Sequence, residues 1–156
     1  MRIATGLIAF TLVLSSSMAL AQSVRWTTYS IPQTGTSVDI PSSIFTELLD
    51  KPDGYGERLR SSDGRADLTV QSVPNRDGYS PEAYLKQKNP PSNIVYKRIE
   101  RDYFVVSSFK GDKIWYDRCN FSASFIHCVL INYPADEKPQ WDGVVTRISH
   151  SLSSGG

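Results

Sequence analysis

The sequence predicts an α+β fold: an antiparallel sheet of about six to eight strands, a C-terminal helix packed on it and a short middle helix, α/β/α sandwich-like. Three observations carry this. Pro and Gly punctuate the chain every ten residues or so, which favours short strands. Two segments read as hairpins whose registers can be worked out from their turns. The tail carries a single helical stripe, with Trp141, Val144, Val145, Ile148 and Leu152 spaced as one helix face.

The chain begins with a segment that is not expected to belong to the fold. Arg2 precedes an apolar stretch from Ile3 to Leu14, too short to span a bilayer as a helix. Ala19-Leu20-Ala21 supplies a small-x-small cleavage site, so residues 1–21 read as a secretory signal peptide. No Cys follows the site to carry a lipid. Residues 22–156 are then one globular domain of 135 residues, enough to fold without a metal. The leader holds one of the 17 basic residues and none of the 16 acidic ones, so the mature domain has a net charge of zero. That balance gives no footprint for nucleic acid, and cleavage leaves no stable membrane anchor.

In chain order, Trp26–Ile31 and Ser37–Ile40 read as strands, the second ending at Pro41. Ser42–Leu49 suits a short helix with Ser42 or Ser43 as N-cap. Asp63-Gly64 is the preferred pair for a two-residue type I′ hairpin turn. With the turn placed there, Leu59 faces Leu68 and Ser61 faces Ala66 on a mostly apolar face. Arg60 meets Asp67 on the other face as an opposite-charge pair. Ser80-Pro81-Glu82 starts a helix running to Lys88, before Asn89-Pro90-Pro91. Ile94–Glu100 and Tyr103–Lys110 are two more strands turned at Arg101-Asp102. Ile114–Phe121 and Phe125–Tyr133 form the second hairpin. Asp136 is placed to cap the last helix, and Gly143 within it would allow a close approach to the sheet.

The two cysteines lie in that second hairpin. With Ala123-Ser124 as its turn, Cys119 sits directly opposite Cys128 in a non-hydrogen-bonded pair. The closer Cα spacing of such a pair suits a cross-strand disulfide. A redox role is disfavoured: the spacing is not Cys-x-x-Cys and no thioredoxin-like pattern surrounds it.

No catalytic residue, metal ligand set or cofactor motif emerges. His127 and His150 are too few for a recognisable zinc site. The Asp-Gly pairs are isolated turns rather than a calcium loop. No Gly-x-Ser-x-Gly or glycine-rich phosphate loop is present. What remains is a strip on one face of the second hairpin: Tyr116, Arg118, Asn120 and, across from Asn120, His127. Exposed, the strip suits a protein partner or small ligand. Buried under the last helix, Arg118 has to be paired and the strip is structural. Buried charges are usually paired and aromatic residues fill cores, which tilts the reading to the structural side.

The stretch from Asp63-Gly64-Arg65-Ala66 through Tyr103-Phe104-Val105-Val106-Ser107 and Ile114-Trp115-Tyr116-Asp117-Arg118-Cys119-Asn120 to Tyr133-Pro134-Ala135 and Trp141-Asp142 resembles small exported, periplasmic proteins of rhizobia and related alphaproteobacteria. That resemblance implies export but has no activity to carry over. The order of elements is also similar to the PsbP/Mog1-type α/β/α sandwich, an architectural likeness only. The leading expectation is a periplasmic or secreted, non-enzymatic domain that binds an envelope protein or small ligand. A small secreted hydrolase and a structural or stress-related envelope protein are the alternatives. Oligomeric state is not set by the sequence.

Overall fold

The computed structural model describes residues 23–155; the leader read from residues 1–21 lies outside them. The described residues open with a small hairpin, β1 (Thr27–Ile31) and β2 (Thr36–Ile40). A longer antiparallel run follows, comprising β3 (Phe45–Leu48), β4 (Tyr55–Ser61) and β5 (Asp67–Pro74). After helix α1 (Pro81–Lys88) come β6 (Asn93–Ile99), β7 (Tyr103–Lys110), β8 (Lys113–Phe121) and β9 (Phe125–Pro134). A 3-10 turn leads into helix α2 (Lys138–Ser151), and the two-residue strand β10 (Ser153–Ser154) closes the chain.

Seven strands form one antiparallel sheet in the order β3-β4-β5-β9-β8-β7-β6. β1, β2 and β10 form a second, three-stranded sheet. Period-two alternation gives the large sheet two different apolar faces. Leu59, Leu68, Val70, Val129 and Ile131 face the small sheet, Val145 and Ile148 of α2, and Leu152 just beyond that helix. Phe104, Val106, Trp115, Cys119, Ile126 and Cys128 face the other way, toward Leu85 of α1. Leu68, Ile131 and Ile148 are wholly buried, and each such side chain contributes about 1.5–3 kcal/mol. The expected α+β sandwich is therefore the observed one, with a helix on each face.

Local chemistry accounts for most boundaries. The Ser80 hydroxyl accepts from Ala83 N–H at the start of α1, and Asn89 ends the helix in the left-handed region at φ 50°. Glu100 N–H donates to the Tyr103 carbonyl to close the β6–β7 turn. Ser122 N–H donates to the Phe125 carbonyl, which sets the β8–β9 register and places Cys119 against Cys128. The two are disulfide-bonded across a Cα–Cα distance of 4.1 Å, the close spacing of a non-hydrogen-bonded pair.

Five local expectations are corrected. Residues 45–48 are strand β3, not a helix, because Phe45 and Glu47 pair with β4 and Phe45 buries its ring against Trp141. The β4–β5 register is as expected, but the turn is not type I′. That type needs a positive φ at both Asp63 and Gly64, and only Gly64 has one, at 71°. Instead the Asp63 carboxylate accepts from Ser61 Oγ and Arg65 N–H, and Ser61 and Ala66 close a four-residue loop. A two- and a four-residue loop centred on the same bond leave the register unchanged. Arg60 stands opposite Asp67 as expected but forms no ion pair with it: it binds Glu47 on β3 at 2.7 Å, while Asp67 accepts from Asn132 Nδ2. Asp136 does not cap α2. It lies in the 3-10 turn near Arg65, and the helix begins at Lys138 with no side-chain cap. Gly143 faces open solvent rather than the sheet.

Candidate functional site

Helix α2 does not extend over the whole sheet. It lies across β9 and β2, and among the described residues the β6–β7–β8 end of that face stays open beside it. Strand alternation puts Arg98, Val105 and Arg118 in one cross-strand row, with Tyr96 and Tyr116 in the row beside it. Tyr103 stands two residues along from Val105 on the same face. Together with Ser149 and His150 of α2 these residues line a cleft of about 220 Å³.

The two arginines converge on one ring. The Arg118 guanidinium carbon lies 4.7 Å from the Tyr103 ring centroid and that of Arg98 lies 5.8 Å away. Arg118 Nε donates to Asn120 Oδ1, and Asn120 Nδ2 donates to the Leu152 carbonyl just beyond α2. Tyr116 donates to Ser149 Oγ at 2.5 Å, and burial pushes its phenol up from the ordinary value. Arg98 pairs with Glu100 at the surface. Among the described residues no carboxylate comes within 4.0 Å of Arg118. The cleft therefore combines an uncompensated, half-buried cation with three tyrosines. A larger depression around Arg65 differs, because there the guanidinium is already neutralised by Glu137 and Asp136.

The four residues of the strip separate. Tyr116 and Arg118 line the cleft. Asn120 is half-buried beneath it and holds Arg118. His127 is fully buried between the two sheets. Its Nδ1 meets Thr36 Oγ1 at 2.6 Å and its Nε2 meets Ser122 Oγ at 2.9 Å. Thr36 continues to Thr34 and Ser72 in a buried hydroxyl chain. Burial holds the imidazole below its usual pKa, so it is neutral and joins the layers. A hydroxyl stands where a hydrolase's orienting carboxylate would stand behind this histidine. Sequence reasoning missed Tyr96, Arg98 and Tyr103. The signal was available, since all three fall on the Arg118 face once the β6–β7–β8 register is drawn.

On the opposite face lies a second polar feature. Asp117 is wholly buried, and Lys88 of α1 reaches it at 2.7 Å. Lys88 Nζ also lies 3.8 Å from Cys119 Sγ. Burial outweighs the ammonium's attraction and raises the Asp117 carboxyl above the usual range. Asp117, Cys119 and Cys128 cluster closely, but the disulfide leaves no thiolate to ligate a cation.

The layers and topology define a PsbP-type α+β sandwich. Among solved structures the chain is similar to cyanobacterial PsbP (CyanoP) from Synechocystis sp. PCC 6803. The TM-score is 0.60 at 11% identity, over 90% of this chain and 98% of that one. No family model and no curated protein matches the sequence. The likeness is one of fold. Among the described residues no helix is long and apolar enough to cross a membrane.

Proposed function

We propose that the chain is an exported, non-enzymatic binding domain of the cell envelope, periplasmic or secreted, that takes its partner at the Arg98–Tyr103–Arg118 cleft. One observation carries the reading. Arg118 is oriented by Asn120, stacked on Tyr103 and left without a carboxylate among the described residues. A cation ordered by its neighbours but not neutralised is preorganised for a carboxylate or phosphate, because the cost of fixing the side chain has already been met in folding. The leader at residues 1–21 and the Cys119–Cys128 bond support export to an oxidising compartment.

The hydrolase reading needs His127 or His150 beside a Ser and a carboxylate in an open cleft. His127 is sealed and bonded to hydroxyls, and His150 is an exposed residue at the rim of a cleft whose neighbouring serine, Ser149, is engaged by Tyr116. The geometry favours binding.

The test is capture from periplasmic extract by immobilised wild-type protein and by the Arg98→Ala/Arg118→Ala variant, together with thermal stability across a panel of carboxylates and phosphates. The wild type is expected to retain a component that the variant does not, and to gain stability with an anion. Equal capture by both proteins, with no shift across the panel, overturns the reading.

A further inference from the structure

Among the described residues β6 is the last strand of the large sheet, paired only with β7, with its outer edge open. All seven of its residues are exposed. Its apolar side chains Ile94, Val95, Tyr96 and Ile99 are each 36–55% exposed, and Phe109 across the ladder is 41% exposed. Neither helix covers this end. The direction of its free backbone groups follows from the ladder. Glu100 N–H donates to the Tyr103 carbonyl, and antiparallel pairs alternate. Arg98/Val105 and Tyr96/Ser107 are then the hydrogen-bonded pairs. Lys97 and Ile99 consequently turn both N–H and C=O outward, away from β7. A bulge at Val95 interrupts the ladder on the N-terminal side, so the regular edge runs from Tyr96 to Ile99.

We propose that this edge is a strand-addition site for an extended, acidic segment of a partner protein, which hydrogen-bonds to Lys97 and Ile99. Its acidic side chain sits opposite Arg98, at the rim of the cleft. The proposal rests on the cleft reading above and adds the class of partner. The local charge chooses the occupant. Residues 93–121 carry six basic against four acidic residues, and one of the acids, Asp117, is buried against Lys88. Arg98 offers its guanidinium at the surface, where its present partner Glu100 is itself exposed and exchangeable. Arg118, two strands further in along the same row, adds to the positive field with no carboxylate within 4.0 Å among the described residues. A second copy of this chain is disfavoured by the same charges. Added antiparallel about Lys97 or about Arg98, it would set Lys97 against Lys97 or Arg98 against Arg98, and like charges directly opposite destabilise a pair; centred on Ile99 it would set Lys97 against Arg101 twice, which offsets the two Arg98–Glu100 pairs of that register. The basic residues and the bulge thus keep copies apart while leaving the edge open to an acidic strand.

The test uses a labelled octapeptide, Thr-Glu-Val-Glu-Thr-Glu-Val-Glu, and its counterpart with Lys at every Glu position. Binding is read by fluorescence anisotropy, and amide protection by hydrogen exchange. The acidic peptide is expected to bind, more weakly as salt rises, and the basic one not. The fast-exchanging Lys97 and Ile99 amides become protected only in the complex. Arg98→Ala weakens binding about three- to tenfold. Lys97→Pro weakens it at least about tenfold, because it removes an outward donor without touching the β6–β7 ladder; unchanged near-UV circular dichroism shows that the variant is folded. Equal binding by Lys97→Pro, or binding without protection of Lys97 and Ile99, overturns strand addition and leaves the cleft reading standing. Absence of peptide binding while phosphate or acetate still stabilises the protein through Arg118 overturns it in the same way. If neither peptide nor anion binds, both readings fall.

Discussion

Lys88→Met is expected to be among the most destabilising single changes, and its effect should depend on pH. Asp117 is 0% exposed, and Lys88 Nζ, 2.7 Å away, is its only charged partner among the described residues. The Coulombic attraction of the ammonium leads, and its close contact with the carboxylate adds to it. Removing one member of such a pair costs about 3–5 kcal/mol. Protonation sets a ceiling: a carboxyl of ordinary pKa about 3.9 forced neutral at pH 7 costs about 4.2 kcal/mol. A loss of about 3–4 kcal/mol at pH 7 is therefore expected. The sign of the pH dependence follows from the raised carboxyl. In the window above pH 3.9 the folded state holds a proton that the unfolded state has released, so stability falls as pH rises. Without Lys88 the window widens upward. The gap between variant and wild type should then close by up to about 1.4 kcal/mol per unit as pH falls from 7 toward 4. Urea unfolding at several pH values measures it. Adding Asp117→Asn to Lys88→Met should recover most of the loss at pH 7. A gap that is constant with pH, or no recovery, would refute the electrostatic account and assign the loss to packing of the lysine stem.

Three further outcomes are expected. Replacing Cys119 and Cys128 together by Ala removes a cross-link over a sequence separation of nine and should lower unfolding free energy by about 2.5–3 kcal/mol in the chain-entropy model; thiol titration of denatured protein should find two thiols only after reduction. His127, held neutral by burial, should make stability fall as pH drops below about 6.5, because there the unfolded imidazole takes a proton that the folded one refuses. The slope between pH 5 and 7 should flatten in His127→Gln, whatever that variant's absolute stability. Gly143→Ala should raise stability by up to about 1 kcal/mol in thermal or urea unfolding, since a Cβ there meets no atom within 4 Å and the position is helical.

The hairpins were legible in the sequence because their information is local. Turn residues and alternation set Leu59 against Leu68 and Cys119 against Cys128 without reference to the rest of the chain. Ser80 and Asn89 bounded α1 for the same reason. Errors fell where a distant strand decided the outcome. Ser42–Leu49 reads as a capped helix in isolation, but the free edge of β4 and the ring of Trp141 drew residues 45–48 into the sheet. Arg60 found Glu47 rather than Asp67 because β3, not β5, placed the nearer carboxylate.

The candidate site divides along the same line. Sequence periodicity put Tyr116, Arg118, Asn120 and His127 on one face, and they do share it. Whether that face is covered is a question of where α2 stops, which no local pattern encodes. The helix and small sheet seal His127 while leaving Arg118 at an opening, only two residues away along β8 from Asn120, which pairs with His127. The sequence by itself thus determined the hairpin strands, their registers and the disulfide, because backbone alternation and turn chemistry act over a few residues. Only the tertiary structure decided which side chains meet solvent, which charges are paired and which sheet edge stays open, because burial depends on how separate layers stack.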